Sequence, residues 1–121
     1  MHFIGIDIIE IARIREVIDR WGERFLRRIY TEREIRLSRK KPERLAARFA
    51  GKEAVMKALG TGVRGVGWRE IEIMAEPGGR PLVQLSGNAQ VKADNLGLSS
   101  LAISLSDSRE YAVAFVSGEA D

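Results

Sequence analysis

From residue 10 onward, the main change in the hydrophobic pattern of this chain falls at the glycine-rich segment Gly60-Thr61-Gly62. Before that segment, apolar residues recur at the three- and four-residue spacing of amphipathic helices. The predicted helices cover residues 10–28, 32–40 and 43–59. After it, apolar and polar residues mostly alternate, as they do in strands that bury one face. The predicted strands cover residues 68–76, 81–86, 101–106 and 111–117.

One more strand, FIGIDII at residues 3–9, precedes the helices, and apolar residues on both of its faces predict that it is buried. Turn sequences at 77–80 and 107–110 predict two hairpins, and residues 87–96 can form a short helix. A strand, then helices, then mostly strands is the order of an α+β fold with a largely antiparallel sheet packed against helices. At 121 residues the chain has the size of one domain, and we expect a single domain over 1–121.

Composition narrows the chemistry that is available. The chain has no cysteine, which excludes disulfides, a thiol nucleophile and zinc–thiolate sites, and its one histidine is His2. Any metal site would therefore use oxygen ligands, which favours Mg²⁺ or a similar hard cation. Because there is neither an apolar run of membrane-spanning length nor a signal-peptide pattern, we expect a cytoplasmic protein with no membrane partner.

Positive charge is concentrated in the first half of the chain. Residues 1–57 carry 15 Lys and Arg against 9 Asp and Glu, whereas residues 58–121 carry 5 against 8. A basic half suits a nucleic acid, a phosphorylated cofactor or an acidic protein, although it can also be only a solvated surface. In helix 10–28 the stripe expected to face the core is Ile11, Ile14, Ile18, Trp21 and Phe25. The arginines that lie away from this stripe are Arg13, Arg20, Arg24, Arg27 and Arg28.

Three charged residues stand where the pattern calls for apolar ones. Asp7 interrupts one face of the first strand, and Glu53 and Lys57 fall inside the apolar arc of helix 43–59. Their spacing alone favours an ordinary solvated ion pair between Glu53 and Lys57, whereas their place on the helical wheel requires a further partner: water, a metal or an anion. If the strand packs on the helix, Asp7 and Glu53 could share Mg²⁺ while Lys57 and Arg48 contact phosphate.

At this point the sequence resembles a known family. GIDIIEIARI at 5–14 and RFAGKEAVMKALGTG at 48–62 are similar to the two signature motifs of the bacterial holo-acyl-carrier-protein synthases. EIEIMAEPGGRPLVQL at 70–85 and SLSDSREYAVAFV at 104–116 resemble their two later hairpins. The four segments occur in the family's order and span nearly the whole chain.

The resemblance implies a 4′-phosphopantetheinyl transferase of fatty acid biosynthesis, which moves phosphopantetheine from coenzyme A to a serine of an apo acyl carrier protein. It implies Mg²⁺ on Asp7 and Glu53, with Lys57 as the third catalytic residue. The serine proton would pass to Glu53 or to a water on the metal. The other functional residues that the resemblance implies are Arg48, Lys57, Gly60 and Asp107 for coenzyme A, and Arg13, Arg20 and Arg24 for the acidic carrier. The family is typically a homotrimer with active sites between subunits.

Asp107 departs from the family pattern, which has histidine at this position. An ionised carboxylate repels phosphate, so Asp107 either binds the adenosine portion or is a plain turn residue, and its sequence context favours the turn. Two other functions stay open. One is a basic nucleic-acid-binding module that is not an enzyme, which would leave Asp7 and Glu53 without a purpose. The other is a homologue that binds coenzyme A with impaired catalysis.

Overall fold

Residues 1–120, which the computed structural model describes, form five strands and five α-helices. The strands are β1 (His2–Glu10), β2 (Ile71–Ala75), β3 (Pro81–Leu85), β4 (Leu98–Asp107) and β5 (Tyr111–Ala120). The helices are α1 (Ile11–Trp21), α2 (Glu23–Ile29), α3 (Glu32–Ser38), α4 (Pro42–Leu59) and α5 (Gly87–Asn95). Within this part of the chain, no helix combines the length and the apolar character needed to cross a membrane.

The strands form two antiparallel sheets around the long helix α4, which confirms the predicted α+β class. One sheet has the order β1-β5-β4 and the other pairs β2 with β3. The turn at 77–80 closes the second sheet, with the Glu76 amide donating to the Arg80 carbonyl at 2.8 Å. Helix α4 packs against β1 and β5, and its residues Ala50, Ala54 and Val55 are fully buried. Small side chains on α4 thus let strands approach its backbone closely.

The prediction of one continuous helix over residues 10–28 is wrong. It is two helices separated at Gly22, whose positive φ of 54° is a conformation that glycine adopts at little cost. The break turns the apolar stripe, so Leu26 and Ile29 enter the core. Trp21, predicted to face the core, is half-exposed instead.

The predicted strand 68–76 begins later than expected. Residues Trp68–Glu70 form a short 3₁₀ turn, and β2 starts at Ile71. Glu70 accepts hydrogen bonds from the amides of Gly67 at 2.7 Å and Asn88 at 2.9 Å. The Glu70 side chain therefore stabilises the turn and the start of α5 together, which a search for alternation does not detect.

Gly5 allows β1 to cross α4 in backbone contact. A Cβ placed on Gly5 would lie 1.8 Å from the Ala54 carbonyl oxygen and 3.0 Å from the Ala58 nitrogen. Only a residue without a side chain fits this crossing. Two residues further along the same face of β1 is Asp7, so the crossing brings its carboxylate to α4.

We expect Gly5→Ala to lower the free energy of unfolding by about 3 kcal/mol, because the added methyl meets helix backbone that cannot rotate away. Urea denaturation followed by circular dichroism measures the loss. Gly51→Ala is the matched control, since a Cβ there meets only side-chain atoms, with Ile103 at 3.2 Å and Ile73 at 3.4 Å. Gly51→Ala should change stability by less than about 1 kcal/mol, because the gain in helix propensity offsets the tight contact. Equal losses in the two variants would contradict this explanation.

The prediction that β1 is buried on both faces is wrong for the single chain. Ile4, Ile6 and Ile8 on its outer face are 58%, 57% and 61% exposed. Phe115, which pairs with Ile6 across the β1–β5 ladder, is also exposed on this face. We call Ile4, Ile6, Ile8 and Phe115 the outer apolar face. Nothing within residues 1–120 covers it.

Candidate active site

Asp7, Glu53 and Lys57 lie together where β1 crosses α4. The Asp7 carboxyl lies close enough to Glu53 to raise the pKa of that side chain, and the Lys57 ammonium donates to Asp7 Oδ1 at 2.8 Å and to the Ile6 carbonyl at 3.0 Å. Lys57 therefore pairs with Asp7, and among residues 1–120 the solvated Glu53–Lys57 pair does not form. Glu53 is half-buried, whereas the Lys57 side chain is 56% exposed, so its predicted burial is wrong.

The ionisation of Glu53 is disturbed by its burial and by the neighbouring Asp7. Burial raises the pKa of Glu53 from its usual 4.5 to about 7, and hydrogen bonding and repulsion from Asp7 add to this increase. The positive charges of Lys57 and Arg13 partly oppose the rise. Hydrogen bonding to Asp7 raises the pKa of Lys57, which keeps its ammonium charged at neutral pH. Near neutral pH, Glu53 thus exists in both its protonated and its ionised form, and a divalent cation would compete with the proton for it.

The chemistry of this pair fits a hard divalent cation. Two carboxylates that repel each other supply the oxygen ligands that Mg²⁺ prefers, and a cation between them would remove the repulsion. Residues 1–120 contain no cluster of three or more His, Cys, Asp or Glu side chains that could hold a metal. The remaining ligands would therefore come from water and from a phosphorylated substrate, which is the usual arrangement for protein-bound Mg²⁺.

We expect Mg²⁺ to bind more tightly as the pH rises through about 7, where Glu53 loses its proton. Below that value the cation must displace the proton, so the apparent affinity should fall about tenfold per pH unit. Isothermal titration with MgCl₂ at several pH values measures the trend.

The free energy of unfolding of the metal-free protein should fall as the pH rises, in contrast to the magnesium affinity. The pKa of Glu53 is raised on folding, from 4.5 to about 7. Its stabilising contribution is therefore fully present below 4.5 and is lost as the pH rises through about 7. Thermal unfolding in EDTA gives this second readout. A magnesium affinity that is constant between about pH 6 and about pH 8 would contradict the assignment.

Arg48 and Asp107 lie in a separate cleft of about 450 Å³. The Arg48 Nε donates to the Ile73 carbonyl at 3.3 Å, and its Nη1 donates to the Arg44 carbonyl at 3.4 Å. Asp107 is the last residue of β4 and lines this cleft, while the hydroxyl and amide of Ser108 make the hairpin hydrogen bonds to the Tyr111 backbone. The interpretation of Asp107 as a plain turn residue is therefore wrong, because Asp107 belongs to the strand and the turn begins after it.

The other predicted residues lie outside both groups. Gly60 ends α4 with a φ of 74°, and its amide donates to the Lys57 carbonyl at 3.1 Å. Arg13 lies on the exposed side of α1, close enough to Glu53 to affect its pKa. The guanidinium carbons of Arg20 and Arg24 stand 5.6 Å and 5.9 Å from the Trp21 ring. An aromatic ring between two exposed cations forms a basic surface with an apolar centre.

Lys52 and Glu34 form an ion pair that is fully buried. This pair was not predicted from the sequence. The sequence does contain an indication that Lys52 is buried. The residues three, four and seven positions from Lys52 on α4 include Leu45, Phe49, Val55, Met56 and Leu59, so this lysine lies on an apolar side of the helix. Glu34 also caps α3, because its Oε1 accepts a hydrogen bond from the Thr31 amide at 2.9 Å.

Comparison with known proteins agrees with this geometry. The sequence model of the 4′-phosphopantetheinyl transferase superfamily matches residues 3–116. The holo-[acyl-carrier-protein] synthase of Herpetosiphon aurantiacus is 47% identical and covers 98% of each chain, and that of Koribacter versatilis is 52% identical over 93% of each. The crystal structure of the Helicobacter pylori synthase in complex with coenzyme A superposes with a TM-score of 0.88 at 37% identity, covering 96% of this chain and 99% of that one. The chain therefore belongs to the holo-[acyl-carrier-protein] synthases of the 4′-phosphopantetheinyl transferase superfamily.

Proposed function

We propose that this chain transfers the 4′-phosphopantetheine group of coenzyme A to a serine of an apo acyl carrier protein and releases adenosine 3′,5′-bisphosphate. Membership of the family makes the chain a transferase of this kind. The observation that carries the proposal is the pair of carboxyl groups, Asp7 and Glu53, that meet beside the lysine Lys57. Such a group suits phosphoryl transfer, in which positioning and charge neutralisation provide most of the catalysis.

In the proposed reaction, the serine oxygen attacks the phosphorus that bears the pantetheine. A serine–phosphorus bond forms, and the bond from that phosphorus to the bridging oxygen of the diphosphate breaks. Asp7 and Glu53 would hold Mg²⁺, which supplies charge neutralisation for the diphosphate when bound. Glu53, in its ionised form, accepts the serine proton. Lys57, held charged by Asp7, can turn to the departing bisphosphate because it is exposed.

We assign the coenzyme A nucleotide to the cleft that contains Arg48 and Asp107. The Arg48 guanidinium supplies positive charge for phosphate, and apolar residues such as Met74 and Leu105 line the same cleft. Asp107 can accept a hydrogen bond from an amino or hydroxyl group of the adenosine. Gly60 ends the helix that carries Lys57 and leaves its terminus uncrowded for the ligand, since a Cβ there would meet nothing within 4 Å.

A homotrimer is the assembly that we propose, with active sites completed between subunits. Its support is the outer apolar face of β1 and β5, because exposed apolar patches of this kind mark protein interfaces. Arg48 and Lys57 stand nine residues apart on α4, about 13 Å along the helix axis. A neighbouring subunit could bridge this separation. We also propose a cytoplasmic location, where coenzyme A and acyl carrier proteins meet.

The carrier is proposed to dock on α1 and α2 through Arg13, Arg20 and Arg24. The support is electrostatic. These arginines are exposed, and acyl carrier proteins are acidic, so opposite charges would steer the encounter. Beside them is a cleft of about 750 Å³ with the apolar side chains of Trp21 and Phe25 in its lining.

The test is intact mass spectrometry of an apo acyl carrier protein after incubation with this protein, coenzyme A and MgCl₂. Transfer should add about 340 Da to the carrier, and EDTA should prevent the addition. Transfer that persists in EDTA would refute the magnesium assignment. No addition with several apo carriers, together with no binding of coenzyme A, would refute the proposed function.

A further inference from the structure

The buried pair of Lys52 and Glu34 ties helices α3 and α4 to the backbone around β2. The Lys52 ammonium lies 2.8 Å from Glu34 Oε1 and donates to the carbonyls of Trp68, at 2.9 Å, and Ile71. The other oxygen of Glu34 accepts the amide of Ile73 at 3.0 Å. Every donor of the ammonium thus has an acceptor, and no part of either charged group is exposed.

Ile73 connects this pair to Arg48. Glu34 accepts from the amide of Ile73, and the carbonyl of Ile73 accepts from Arg48 Nε at 3.3 Å. Lys52 follows Arg48 by one helical turn on α4, so the two cations face the same strand. Burial lowers the pKa of the Arg48 guanidinium, and the negative charge of Glu34 opposes that effect. Glu34 therefore pairs directly with Lys52 and acts on the charge of Arg48 from further away.

We propose that Glu34 and Lys52 are positioning residues for coenzyme A, which act by holding β2 and the Arg48 guanidinium against the wall of the nucleotide cleft. This inference rests on the proposed function, since it assumes that Arg48 contacts coenzyme A. A purely structural role does not require charge at these positions. An apolar pair of similar volume usually packs at least as stably as a buried ion pair. Such a pair would not fix the Ile73 backbone or balance the charge of Arg48.

The experiment replaces both charges together, as Glu34→Leu with Lys52→Met, so that neither partner is left unpaired in the core. We expect this double variant to fold, to keep the kcat of the wild type, and to raise the KM for coenzyme A about tenfold. Ile29→Val is the control, because it removes a methylene from a buried side chain that makes none of these hydrogen bonds. Its KM should equal that of the wild type.

A double-mutant cycle with Arg48 tests the route of the effect. Arg48→Ala alone should raise the KM for coenzyme A, and adding the two apolar substitutions to it should raise the KM no further. Additive effects would overturn the proposal that the pair acts through Arg48.

An unchanged KM in the folded double variant would overturn the proposal outright. If that variant fails to fold, Glu34→Gln with Lys52→Met takes its place, since glutamine keeps an acceptor for the Ile73 amide while both charges are removed. It should raise the KM about threefold without lowering kcat, and a wild-type KM there would refute the inference. Absence of coenzyme A binding and transfer in the wild type would refute the proposed function instead.

Discussion

Glu53→Gln should lower the turnover of phosphopantetheine transfer about 10³-fold while the protein remains folded. Glutamine keeps the size of the side chain but cannot accept the serine proton, and it is a much weaker ligand for a divalent cation. The loss should appear in kcat at saturating coenzyme A, because the nucleotide cleft around Arg48 is unchanged. Steady-state rates from the mass assay, with MgCl₂ in excess, measure it.

The same substitution should stabilise the metal-free protein, which separates a chemical role from damage to the fold. The cost of burying an ionised Glu53 and its repulsion by Asp7 both disappear when the side chain becomes neutral. At about pH 8 in EDTA the free energy of unfolding should therefore rise by about 2 kcal/mol, after allowance for solvent screening. Glu32→Gln, on the exposed surface of α3, is the control. It should change neither the turnover nor the free energy of unfolding. Full magnesium-dependent activity in Glu53→Gln would show that the site is assigned to the wrong residues.

The carboxyl pair could be predicted from the sequence because both members break a strong pattern. Asp7 interrupts an apolar strand, and Glu53 stands within an apolar arc of α4. The crossing that joins them rests on Gly5, whose packing against Ala54 is a tertiary contact. Periodicity shows which face of an element is polar, but it does not show what crosses that face. The pair was therefore predicted only on the condition that strand and helix pack together.

Two features of the fold could not be predicted from the sequence, for physical reasons. A single glycine, Gly22, divides a periodic segment into two helices, because its positive φ redirects the chain without changing the spacing of apolar residues. Lys52 received no role from the sequence, although its apolar neighbours on α4 and the distant Glu34 make it a core residue. A lysine is buried only where acceptors surround it, and these come from residues far away in the sequence.

The strand β1 shows the opposite kind of error. Apolar residues stand on both of its faces, with Ile4, Ile6 and Ile8 on one of them, and this predicted burial on both sides. The fold of one chain covers only the side that faces α4. Apolar residues in a sequence record burial in the working assembly, whichever chain provides the cover. The pattern is therefore consistent with a strand whose outer face meets other copies of the chain.

Ile4→Asp should convert the proposed trimer to a monomer and lower kcat/KM at least about 100-fold. In a closed threefold assembly, one substitution places three carboxylates in interfaces built from isoleucine side chains, and burying each unpaired charge is strongly unfavourable. The fold of the separated chain should survive, since Ile4 is 58% exposed there. Light scattering after gel filtration measures the assembly, and circular dichroism measures the fold.

Activity should fall with the assembly because coenzyme A would have to reach from the Arg48 cleft to Lys57 without a neighbouring subunit. Val91→Asp is the matched control, because Val91 is 56% exposed on α5 and lies outside the outer apolar face. It introduces the same charge at the same degree of exposure and should leave mass and activity unchanged. A monomeric Ile4→Asp variant with full activity would mean that each chain holds a complete site. A trimeric one would mean that another surface joins the subunits.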